Sequence, residues 1–124
     1  MDVTLKIQTE QVQGKVPVAV LHLSGWLDAQ SEDQLVQEAS ALIQGGTRYM
    51  LIDLRNVDMI TSAGMRAIQK VYKQLSPQEE PYKNPRLKMC NASPKIYNIL
   101  GTTGFLLNIP NYESLETALE SFST

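Results

Sequence analysis

The sequence predicts an α/β domain: a mixed sheet of four to five strands with about four helices packed mainly on one of its faces. Three observations carry that expectation. Apolar residues alternate with period two near the start of the chain, and they recur at 3,4 spacing in three later segments. Strand-like and helix-like segments then follow one another along the chain, the order that builds strand–helix–strand units. A run near the middle, "YMLIDLRN", is too continuously apolar for a strand with one wet face.

In "VTLKIQTEQV", Val3, Leu5 and Ile7 alternate with Thr4, Lys6 and Gln8, which gives a strand at the periphery of the sheet. After a turn near Gly14, "VPVAVLHLSGWL" is apolar on both faces. Its closeness to the first strand predicts an antiparallel hairpin, with Pro17 near the second strand's start. "SEDQLVQEASALIQGG" then reads as a helix. Ser31 and Gln34 stand at capping-box spacing, Glu32 and Asp33 are acidic in the first turn, and Gly45-Gly46 ends it; Leu35, Ala39, Leu42 and Ile43 form the apolar stripe.

"RYMLIDLRNV" is the central strand. It leads through "TSAG" into a helix whose inner face is Met65, Ile68, Val71, Tyr72 and Leu75 and whose outer face is Arg66, Gln69, Lys70 and Lys73. "SPQEEPYKNP", with three prolines and no apolar period, predicts an exposed loop before the strand "RLKMCNA". Ser93-Pro94 reads as an N-cap followed by Pro at the first helical position, and the helix through "KIYNIL" stops at Gly101. Leu115, Ala118, Leu119 and Phe122, at i, i+3, i+4 and i+7, make the last helix. No repeat and no second domain is visible, so residues 1–124 are expected to form one domain whose strand–helix–strand units need right-handed parallel crossovers.

With 43% hydrophobic and 19% charged residues, 124 residues suffice for one core without disulfide or metal support. A net charge of −2 and a pI near 5.3 disfavour direct binding to nucleic acid. The single cysteine, Cys90, reads as a buried small hydrophobe, and no metal site or cofactor is implied. The start of the chain lacks a signal-peptide pattern and no apolar run is long enough to span a bilayer, so a cytoplasmic protein without membrane insertion is expected.

Enzyme signatures are absent. Ile60 stands where a nucleophile elbow needs Gly before Ser62, and neither nucleotide-binding glycine motif occurs. His22 lies inside an apolar strand. Asp28, Asp53 and Asp58 fall near strand ends, where turn and cap roles are the ordinary use of aspartate. Asp53 fits that use least, because a carboxylate in an apolar run needs hydrogen-bond partners.

Taken in order, "HLSGWLDAQS", "YMLIDLRNVDMITSAGMRAIQKVYKQL" and "GTTGFLLNIPNYESLETAL" resemble the STAS domain family, typified by bacterial anti-sigma factor antagonists. In that family an LxGxLDA strand end, a DLxxVxxIxSxGL strand-to-helix turn and a GF or GL segment before a short last helix recur in this order. The resemblance covers nearly the whole chain. It implies a non-enzymatic, regulatory protein-binding domain. Its expected partner is a serine kinase-type anti-sigma factor, which phosphorylates a Ser or Thr at the helix start, with a cognate phosphatase resetting the switch.

The family's usual acceptor position falls on Ala63, so the resemblance makes Ser62 the first-choice phosphoacceptor and Thr61 the second. The residues themselves leave Ser62 as helix cap, acceptor or both. Asp28, Asp53, Thr61, Ser62, Gly64, Met65 and Arg66 are the partner-binding residues the resemblance implies, and a monomer or weak dimer is the expected state. A constitutive scaffold or accessory subunit, stressosome-like or in a lipid-transport complex, is the alternative that Ala63 raises. An enzyme with a carboxylate site at Asp28 and Asp53 is the third reading.

Overall fold

The computed structural model describes residues 4–75, 85–102, 104, 106 and 109–122. Its elements are β1 (Lys6–Gln13), β2 (Pro17–Leu27), α1 (Glu32–Gln44), β3 (Met50–Ile60), α2 (Ser62–Leu75), β4 (Leu87–Cys90), α3 (Pro94–Thr102), β5 (Asn111–Tyr112) and α4 (Leu115–Ser121). Residues 76–84 of the expected proline-rich loop lie outside the described residues.

The sheet order is β1-β2-β3-β4-β5. β1 pairs antiparallel with β2 without interruption, from Lys6 opposite Ser24 to Gln13 opposite Pro17, as the hairpin pattern requires. β2, β3, β4 and β5 are mutually parallel, and α1, α2 and α3 supply the three crossovers. The two-residue β5 is a strand that the sequence pattern did not separate from the last helix; it has no period to read. β3 runs to Ile60, three residues past the apolar run, and α3 continues past Gly101 to Thr102.

Both faces of the sheet are covered, unequally. Leu21, Leu23, Met50, Ile52 and Leu54 face α1, α2 and α3, which contribute Leu35, Ala39, Ile68, Val71, Ile96 and Leu100, all essentially inaccessible. Each of these side chains larger than alanine contributes about 1.5–3 kcal/mol by leaving water. On the other face Val18, Val20, Leu51 and Cys90 meet Ala118 of α4 and Phe122 at its C-cap. This helix is capped by Ser114, whose Oγ accepts from Thr117 N–H at 3.1 Å. At its other end the buried Lys88 ammonium donates to Ser121 O at 2.9 Å and Ser121 Oγ at 2.8 Å and lies 4.5 Å from the Phe122 ring. A cation there complements the negative end of the helix.

Candidate functional site

Because β2 and β3 are parallel, both end on the same side of the sheet, and each hands over there to a helix. Such carboxyl ends are where open α/β sheets place their binding sites. After β2, Asp28 Oδ1 accepts from the backbone N–H of Gln30 (3.1 Å) and Ser31 (3.2 Å). The Ser31 hydroxyl lies between Trp26 O (2.9 Å) and Asp28 Oδ1 (3.1 Å) and accepts from Asp28 N–H at 3.0 Å. This turn consumes Ser31, so the anticipated capping box is not formed. Ser31 has φ −108° and ψ 1° rather than extended geometry, and Gln34 Nε2 instead donates to Leu5 O at 3.0 Å.

After β3, the Thr61 N–H donates to Leu27 O at 3.1 Å, tying the two strand ends together. The Thr61 carbonyl accepts the first helical bond, from Met65 N–H at 2.9 Å, and Thr61 Oγ1 accepts from Gly64 N–H at 3.4 Å. Thr61 is therefore the N-cap of α2, which corrects the reading of Ser62 as the cap. Ser62 is the first helical residue, exposed, and among the described residues its hydroxyl has no hydrogen bond. Thr61→Ala is expected to cost about 0.5–1 kcal/mol in urea unfolding. Ser62→Ala should stay within about 0.5 kcal/mol of wild type in the same measurement.

Ala63 and Gly64 turn inward, and the absence of a side chain at Gly64 lets α2 lie directly on the end of β2. A Cβ built there would sit 2.2 Å from Leu27 O. Met65 is half-buried against the main core. Arg66 points outward and grips α1: its Nε and Nη2 lie 2.8 and 3.0 Å from the two carboxylate oxygens of Glu32, and Lys70 Nζ adds a 3.0 Å contact to Oε2. Arg66, then Lys70, hold the Glu32 carboxyl down to about 2. Asp28, Thr61, Ser62, Gly64, Met65 and Arg66 thus share one end of the molecule.

Asp53 does not join them. It lies seven residues before the end of β3, on the order of 20 Å along the strand at 3.3 Å per residue. Its side chain is on the α4 face, where Oδ2 meets His22 Nδ1 at 2.8 Å and Oδ1 accepts from Asn91 Nδ2 (3.0 Å) and Arg55 N–H (3.1 Å). Asn91, at φ 61°, takes the left-handed conformation that aims its amide there. His22 Nε2 in turn meets Glu10 at 3.2 Å.

Burial disfavours charge on both members of the pair, but hydrogen bonds outweigh it. Asn91 and His22 hold the Asp53 carboxyl below its ordinary range, and Asp53 and Glu10 hold His22 above its ordinary 6.5. A histidine pKa raised by folding contributes stability that is complete below the unfolded value and is lost as pH rises through the folded one. Wild type should therefore lose stability relative to His22→Gln as pH climbs upward from 6.5, in denaturant melts at a series of pH values. The Cys90 thiol is pushed up to about 12, by burial and then by Asp53, so it is inert as the sequence suggested.

Glu32, Lys70, Glu10 and Asn91 escaped sequence reading as interacting residues. The Glu32 position signalled a favourable helix dipole, but its pairing with residues 34 and 38 positions later exists only once α1 and α2 lie side by side. Among the described residues there is no cluster of three or more His, Cys, Asp or Glu suited to a metal ion, and no helix is long and apolar enough to cross a membrane.

The STAS domain family model matches residues 6–118, which takes in every element that builds this site. A Bordetella bronchiseptica protein, BtrV, named as a candidate anti-sigma factor antagonist, is 28% identical over 97% of this chain and 97% of its own length. The anti-sigma F factor antagonist of Paenibacillus polymyxa is 25% identical over 93% of this chain and 92% of its own. The crystal structure of an anti-sigma factor antagonist from Mycobacterium paratuberculosis superimposes with a TM-score of 0.80 at 22% identity, over 96% of this chain and 94% of that one. With five strands in this order, α2 springing from the end of the central strand and the family model spanning both, the chain belongs to the STAS domain family.

Proposed function

We propose that this domain is a cytoplasmic anti-sigma factor antagonist that binds a serine kinase-type anti-sigma factor through the joined ends of β2 and β3. Phosphorylation of Ser62 ends the binding, and a cognate phosphatase restores it. The observation that carries the switch is the division of labour at the helix start: Thr61 caps α2, which leaves the Ser62 hydroxyl exposed and uncommitted. In the transfer, Ser62 Oγ attacks the γ-phosphorus of ATP and loses its proton, the bond to the bridging oxygen breaks, and ADP leaves. The product carries about −1.5 to −2 charges on a surface that must otherwise be desolvated by the partner.

The relatives' names support the antagonist role, and the geometry supports the choice of Ser62 over Ala63, which has no hydroxyl and is 9% exposed. Ala63 also favours a second reading, a constitutive STAS scaffold or accessory subunit with no phospho-switch. Affinity capture from the native cell, with phosphopeptide mapping of residues 57–71, separates the two. Recovery of a serine kinase-type anti-sigma factor and phosphate on Ser62 is the expected result. A stable large homo-oligomer, or a membrane-complex subunit with no phosphate, supports the second reading.

A further inference from the structure

We propose that a phosphate on Ser62 takes Arg66 away from Glu32, so that phosphorylation opens the clamp between α1 and α2 as well as adding charge. This rests on the reading of Ser62 as the acceptor. Ser62 and Arg66 are both exposed and stand at i and i+4 on α2, the spacing at which side chains on one helix meet. In the unmodified protein both carboxylate oxygens of Glu32 engage the Arg66 guanidinium, at 2.8 and 3.0 Å.

Phosphate is the stronger competitor. It carries about −1.5 to −2 charges against −1 and offers three acceptor oxygens with the geometry a guanidinium fork fits. It also belongs to the helix that carries Arg66, so no inter-element contact is needed to hold the pair together. Lys70, eight residues from Ser62 and so about 12 Å further along the helix axis, is out of reach and stays with Glu32 at 3.0 Å. Glu32 therefore keeps one cation when the other leaves, which removes the penalty of stranding it. The start of α1, next to the Asp28 turn, loses its bidentate tie to α2, and the docking surface changes on the side away from the phosphate as well.

The test uses the full chain with phosphoserine introduced at position 62 during translation, so no kinase is required. Two readouts apply: the Arg66 Nε–H resonance followed by NMR across the second phosphate ionisation, and that ionisation followed by phosphorus NMR near its ordinary pKa of about 6. In the unmodified protein the Arg66 resonance should stay flat across that range, since Glu32, held down to about 2, remains ionised throughout. In the phosphoprotein it should shift in step with the phosphate ionisation, and Arg66→Gln should raise the phosphate's second pKa. An Arg66 resonance that does not follow the phosphate, or a phosphate ionisation indifferent to Arg66→Gln, overturns the proposal. A kinase that ignores Ser62 would sink the acceptor assignment while leaving both readouts interpretable.

Discussion

Gly64→Ala is expected to destabilise the domain by about 3 kcal/mol or more, the upper part of the range for overpacking a filled site. Alanine is the better helix former by up to about 1 kcal/mol, so propensity alone predicts the opposite sign. Space decides the matter. The new methyl would sit 2.2 Å from Leu27 O, 2.9 Å from Leu27 C and 3.0 Å from Leu27 Cγ. The first two are backbone atoms of a strand whose end is already bonded to Thr61, so neither side gives way without losing the joint between β2 and α2. Set against a total stability of about 5–15 kcal/mol, the change takes a large share. Gly101→Ala is the control: it lies in α3 with its nearest neighbour, Leu106 Cδ1, at 3.9 Å, and should be neutral or mildly stabilising. Urea midpoints of the two variants should move in opposite directions or, at the least, differ by the full cost at Gly64.

Ser62→Asp should leave stability close to wild type and lower partner affinity at least about tenfold, equivalent to about 1.4 kcal/mol or more. An acidic residue at the first helical position is favoured by the helix dipole, and the site is exposed in the free domain. Binding removes that exposure, and burying an unpaired charge costs several kcal/mol. Ser62→Ala adds no charge and should bind like wild type. Titration calorimetry with the captured anti-sigma factor distinguishes them, and an Asp variant that binds as tightly as Ala would show that position 62 lies outside the contact.

The fold was legible where a pattern extends over enough residues to be periodic. β1 and β2 declared themselves by alternation and proximity, α2 by its apolar face, and β3 by a run with no wet side. β5, two residues long, has no such pattern. Local chemistry was less reliable at the helix starts. Ser31 has the residue type and spacing of a capping box, yet Asp28 and Trp26 claim its hydroxyl; at α2 the cap moved one residue, from Ser62 to Thr61. Both outcomes depend on how the preceding strand ends. The TSAG cluster and its neighbours were found because they lie close in sequence and carry a family pattern. Asp53 was singled out by the physical oddity of a carboxylate in an apolar run. Its partners lie 31 and 38 residues away, His22 on the neighbouring strand β2 and Asn91 just past the end of β4, so the sequence could pose the need and not its solution.

The proposed switch is tested most directly by the equilibrium binding of the purified domain to a captured serine kinase-type anti-sigma factor, before and after incubation of the pair with Mg-ATP, with the phosphate located by mass spectrometry. A tight complex is expected before, phosphate on Ser62 after, and an affinity at least about tenfold weaker for the phosphorylated domain. Phosphate absent from residues 57–71, or a phosphorylated domain that binds as tightly as the unmodified one, would overturn the switch.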